Sequence, residues 1–125
     1  MTFVPRLDAP STTDKHWIQV KYGGYNRCIP INGGPSVLSN CTGYSFGRFM
    51  EIMGVTSCNL SIANAGEWWY YTQDGYERGK EPRLGAVICW SRAGQAGHVA
   101  IVEQINPDGS IVTDTKNFYI IGKML

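Results

Sequence analysis

Cys41 follows Ser39 and Asn40 and precedes a run in which Phe46, Phe49, Met50 and Met53 recur at helical spacing, so it falls in the first turn of a helix. Exposed amide hydrogens at a helix start favour an anion, and a thiolate held there is a nucleophile. His98 opens an apolar stretch that reaches Ile105 and comes directly after Gly97. A cysteine and a histidine together perform acyl transfer, because imidazole takes the thiol proton and later delivers it to the departing amine. A third group normally binds the far ring nitrogen and fixes the tautomer. Asp114, Thr115 and Asn117 lie on the next strand or just beyond it. If Pro107-Asp108-Gly109 is a three-residue loop, Asn106 faces Ser110 and Asp114 shares the side of the sheet that holds His98. A tighter count sets Asn117 opposite His98 with Thr115 on its side, and one residue of register exchanges the answer. Without such a partnership Cys41 is a small buried hydrophobe and His98 a core histidine.

The elements that must position these residues read as follows. The helix spans Cys41 to Met53, with Ser39 or Asn40 as cap and Gly54 as left-handed terminator. Residues 1–16, polar and containing Pro5 and Pro10, form an extended lead-in, and 17–125 form the domain. The glycine-rich stretch 23–35 reads as a loop that walls a cleft ending at Cys41. A short second helix fits within Ser61 to Tyr71, and a polar loop follows through Pro82. From Leu84 the pattern changes to strands: Gly85 to Trp90, His98 to Ile105, Ser110 to Thr115 and Phe118 to Ile121. Helices first and an antiparallel sheet second make an α+β domain. The helix must lay its apolar side on that sheet, which would bring its cysteine end to the histidine end of the strand.

At 125 residues the chain has room for one domain. Eleven basic and ten acidic residues are scattered singly, leaving no electrostatic footprint for nucleic acid. No run of eighteen apolar residues exists, so no membrane insertion is expected. The polar start lacks a signal core, so delivery outside the cell needs another route or a part not shown. Cys28, Cys41, Cys58 and Cys89 match neither a redox pair nor a zinc knuckle and are expected reduced. A Cys28 to Cys58 bridge is the most feasible disulfide, since it spares Cys41. The glycine-rich stretch has neither the spacing nor the lysine of a phosphate cradle.

Asn40-Cys41-Thr42-Gly43-Tyr44, Asn64-Ala65-Gly66-Glu67-Trp68, the run from Pro82 to Trp90, and Gly97 to Glu103 leading into Asn106 to Ile111 stand in an order that resembles the CHAP domain. This is the cysteine, histidine-dependent amidohydrolase/peptidase module of bacteriophage lysins and bacterial cell-wall hydrolases. The resemblance spans roughly residues 17 to 121. It implies a papain-like fold and cleavage of peptidoglycan, at the amide joining sugar to stem peptide or at a peptide bond of the stem or cross-bridge. It places Cys41 on the nucleophile and His98 on the general base. The family's acidic orienter falls on Thr115 and its following asparagine on Asn117. A hydroxyl orients imidazolium weakly, so either Asn117 assumes the role or a strand shift brings in Asp114. Some similar proteins carry calcium just before the nucleophile, but residues 32–40 have no carboxylate, so no metal and no other cofactor is expected. Bacterial peptidoglycan is the implied partner. The chain is expected to be monomeric, to belong to a longer lysin with a separate wall-binding domain, and to act on the wall outside the cell or after release at lysis. Trp17, Tyr22, Tyr25, Trp68 and Trp69 are candidate groove walls. The rival readings are a noncatalytic wall-binding module, a cysteine protease with a protein substrate, and a structural protein with an inert cysteine.

Overall fold

In the computed structural model, which describes residues 3–6, 9–17, 28–30, 34–79, 81–90, 97–112 and 122–123, the main helix is α1, Cys41–Met53. Asn40 caps it, its side-chain oxygen accepting from the Gly43 amide at 2.7 Å and from Thr42 Oγ1 at 2.9 Å. Gly54 ends it at φ 71, where a side chain would be strained, and its amide donates to the Glu51 carbonyl. Phe49 and Met50 are fully buried, each worth about 1.5–3 kcal/mol on transfer from water. Met53 is in phase with them but 43% exposed, while Ile52 of the same turn packs against the main cluster. Phe46 is half-buried.

The strands are β1 Cys28–Pro30, β2 Val37–Ser39, β3 Arg78–Gly79, β4 Val87–Trp90, β5 His98–Ile101, β6 Gln104–Ile105, β7 Ile111–Val112 and β8 Gly122–Lys123. An antiparallel sheet has the order β3-β8-β4-β5, while β1 with β2 and β6 with β7 form separate antiparallel pairs. In the sheet Val87 pairs with Ile101, Cys89 with Val99, and Trp90 with His98. Val87, Cys89, Val99 and Ile101 join Phe49, Leu60, Ala65 and Trp68 in one apolar cluster, so α1 and the short helix α2, Ala65–Trp68, cover that face. Ala86, Ile88 and Val102 pack with Ile111 in a second cluster. Covering both faces explains the unbroken apolar run at Ala86 to Cys89. This is an α+β arrangement, a helix laid on a small antiparallel sheet.

Three elements differ from the sequence expectation. The glycine-rich stretch is not all loop, since β1 pairs with β2 there, Ile29 facing Leu38. The second helix has only four residues, and a 3₁₀ turn, Thr72–Asp74, follows. The strand from His98 to Ile105 breaks into β5 and β6. Gln104 pairs with Val112, yet the Glu103 amide also donates to the Val112 carbonyl at 2.9 Å. Two residues thus oppose one, which is a bulge. The turn itself is the three-residue alternative: Asn106 faces Ser110, its amide donating to the Ser110 carbonyl at 2.7 Å, with Gly109 at φ 90. The strand expected at Phe118 to Ile121 lies outside the described residues up to Gly122.

The lead-in is seated on the body. Ser11 bridges to Ser36, and the Thr12 amide donates to the Pro35 carbonyl at 2.7 Å. Trp17 is buried beside Met50 and lies over Gly47, where a Cβ would come within 2.5 Å of its Nε1.

Candidate active site

Cys41 is the first residue of α1, half-buried, and packs against the cluster that contains Cys89 and Val99. Two other first-turn amides are occupied: Gly43 donates to the Asn40 side chain and Tyr44 to the Asn40 carbonyl. His98 is the first residue of β5, half-buried, with Nε2 out of reach of solvent. It leaves Gly97, which stands at φ 78. Asp114, Thr115 and Asn117 lie outside the described residues.

A buried ion pair sets how α1 lies along β5. Arg48 Nε donates to Glu103 Oε2 at 3.0 Å and Nη2 to Oε1 at 2.8 Å, a fork on a carboxylate. Both side chains are buried. The same guanidinium reaches Glu51 Oε1 at 2.6 Å and the Val4 carbonyl at 2.7 Å. Arg48 comes about 10 Å down the helix from Cys41, and Glu103 comes five residues after His98. The pair therefore fixes the far half of the helix beyond the far end of β5. Burial opposes ionisation of Glu51, but hydrogen bonds from Arg6 and Arg48 outweigh it and hold that carboxyl below the usual range.

The sequence reading did not single out this pair, although a signal was there. Glu103 continues the alternation of Val99 and Ile101, and a carboxylate in an apolar register demands a buried cation. Nor did it find Arg78. Its Nη1 donates to the buried Asp74 Oδ1 at 2.8 Å, and its other donors reach the carbonyls of Trp68, Trp69 and Tyr71 at 2.9 to 3.0 Å. Of the expected groove walls, Trp17 and Trp68 are core and Trp69 is half-buried; Tyr22 and Tyr25 are outside the described residues.

Cys41, Cys58 and Cys89 are thiols, so Cys58 is not bridged to Cys28. Among the described residues Asp14, His16 and Glu51 bring metal-ligating atoms within 4.8 Å of one another. Arg6 bonds Glu51 and lies 3.7 Å from Asp14, and Arg48 adds a second cation, so arginine already balances the cluster.

A cysteine heading a helix that is laid along a histidine-headed strand is an arrangement suited to thiol acyl transfer. The chain belongs to the CHAP domain family, whose model matches residues 31–117. It is 33% identical over 95 residues to a probable autolysin of Staphylococcus aureus, covering 75% of this chain and 33% of that protein. It is 38% identical over 80 residues to an N-acetylmuramoyl-L-alanine amidase of Staphylococcus epidermidis, covering 62% and 24%. A putative hydrolase of Streptococcus mutans is 34% identical over 62 residues, covering 43% and 29%. The chain thus spans a third or less of these curated relatives. No solved structure matches it. Among the described residues no helix is long and apolar enough to cross a membrane.

Proposed function

We propose that this chain is a peptidoglycan hydrolase that cleaves an amide or peptide bond by acyl transfer through Cys41. The observation that carries the reading is Cys41 at the first position of α1, with that helix packed along the strand that His98 opens. Family membership, and relatives named autolysin and amidase, supply the substrate class.

The Cys41 sulfur bonds the wall carbonyl carbon after its proton passes to His98. The Cys41 amide stabilises the tetrahedral oxygen, where losing a donor costs roughly 3 kcal/mol. The carbon–nitrogen bond then breaks, and the amine leaves with the proton from His98. Water, deprotonated by the same imidazole, adds to the thioester, and the carbon–sulfur bond breaks. Strand alternation sends Val99 and Ile101 toward α1 and His98 to the other side. The proposal therefore requires the two side chains to meet at the end of the sheet, past the first residue of the strand, and not across its α1-facing side.

The third group is Asn117 in this proposal, with Asp114 as the alternative. The loop count by itself favours Asp114, but the bulge at Glu103 and Gln104 removes one residue from the ladder. Of the two counts that the sequence allows, the proposal therefore adopts the one with Asn117 opposite His98. The unit is proposed to work as a monomer, without a metal, within a longer wall-lytic protein that carries its own wall-binding part.

The test is digestion of purified peptidoglycan, with casein as the control substrate and mass spectrometry of the products. New amino termini from the wall, with casein intact, are the expected result. An intact stem peptide marks an amidase, and a split one an endopeptidase. No product from the wall, or faster cleavage of casein, overturns the assignment.

A further inference from the structure

A surface groove lies apart from Cys41 and His98, neither of which lines it. It has a volume of about 630 Å³ and is walled by Asn59, Ile62, Glu67, Tyr70, Tyr71 and Gln73. A groove of this size falls in the range that holds a small ligand. Tyr70 is 72% exposed, Ile62 62% and Tyr71 40%, although each has apolar area that burial would favour. Around them stand a carboxylate and two amides, Glu67, Asn59 and Gln73, and among the described residues no lysine or arginine lines the groove.

This wall is held in place before any ligand arrives. Arg78 spends its donors on the carbonyls of Trp68, Trp69, Tyr71 and Tyr76 and on Asp74, clasping the segment that presents the tyrosines. Preorganisation of this kind lowers the ordering cost of binding. Leu60 lines the groove and also belongs to the core cluster on which Cys41 packs, so the two regions share one layer of side chains.

We infer that this groove binds the N-acetylated amino-sugar strand of the wall polymer, a subsite that rests on the peptidoglycan reading proposed above. The chemistry selects sugar over peptide. A sugar ring offers apolar C–H faces to tyrosine rings; its hydroxyl and acetamido N–H groups donate to the Glu67 carboxylate, and its oxygens accept from the Asn59 and Gln73 amides. A stem peptide carries carboxylates, which Glu67 repels, and no cation among the described groove residues offsets that repulsion.

The probe is the β-1,4-linked tetramer of N-acetylglucosamine, titrated calorimetrically into the 125-residue chain carrying Cys41→Ala, with NMR shifts locating the contact. Saturable binding that perturbs the Tyr70 and Tyr71 signals is expected. Adding Tyr70→Ala and Tyr71→Ala weakens it at least about tenfold, whereas Tyr70→Phe with Tyr71→Phe keeps it within about threefold because the ring faces survive. Undiminished binding by the alanine variant, no binding by the parent, or displacement of the tetramer from the groove by a stem pentapeptide overturns the inference. Binding is read without the Cys41 sulfur, so its outcome is separate from that of the hydrolase reading, which is tested by digestion with the unmodified chain.

Discussion

Thiols in this chain differ by environment. Burial, with the Asp74 carboxylate adding to it, pushes the Cys58 thiol up to about 11. At pH 8 only about one Cys58 in a thousand is a thiolate. Iodoacetamide at that pH is expected to modify Cys41 in the folded protein and to spare Cys58, read by peptide mapping; equal labelling would show that Cys58 is open to solvent. The places of Cys41 at a helix start and of His98 at a strand start were legible in the sequence because each carries a local mark, a capped helix start and a glycine ahead of an apolar strand. Arg48 and Glu103 were not, since nothing in either local pattern names a partner 55 residues away. Removing one member of a buried pair strands the other's charge, so Glu103→Ala should cost about 3–5 kcal/mol in urea unfolding. A loss below about 1 kcal/mol would mean that Arg48 finds sufficient replacement in Glu51 and Val4.

At the scale of elements, α1 was readable to the residue and the β6–β7 turn in its place though not its register, because caps and turn glycines are short-range chemistry. The pairing of β1 with β2 was hidden, since three-residue strands amid glycine and proline carry no period. The bulge was hidden for a different reason: Glu103 and Gln104 look like ordinary strand, and only the hydrogen bonds reveal that both face Val112. Gly47 shows how packing decides what propensity cannot. On helix propensity alone, Gly47→Ala gains about 1 kcal/mol. The new Cβ would stand 2.5 to 2.7 Å from three atoms of the buried Trp17 indole, and such overpacking costs typically about 1–3 kcal/mol. Trp17 has little room to yield, so net destabilisation is expected, with a lower midpoint and unchanged slope in urea. A raised midpoint would show that the indole moves aside.

Across the whole molecule, the lead-in is tied to the helix by charge. Arg6 bonds Glu51, and the Arg6 ring contact on Trp17 is 4.7 Å from the centroid. Because the folded state holds the Glu51 carboxyl below its ordinary range, this group adds stability at pH values above that range. The contribution is lost as pH falls through the ordinary value and then the lower folded one. Thermal melts between pH 6 and pH 3 should therefore fall more steeply for the parent chain than for Arg6→Gln, in which the depression is weaker. Parallel curves would sever the lead-in from acid stability. The electrostatic tie also explains why a polar, proline-bearing stretch can pack without an apolar core of its own.

The most direct measurement is the rate of amine release from purified peptidoglycan by the parent chain, Cys41→Ala and His98→Ala, with circular dichroism confirming that each stays folded. Loss of about ten-thousandfold or more in both variants is the predicted result. A folded variant lacking either side chain that still releases amines at the parent rate would contradict the account.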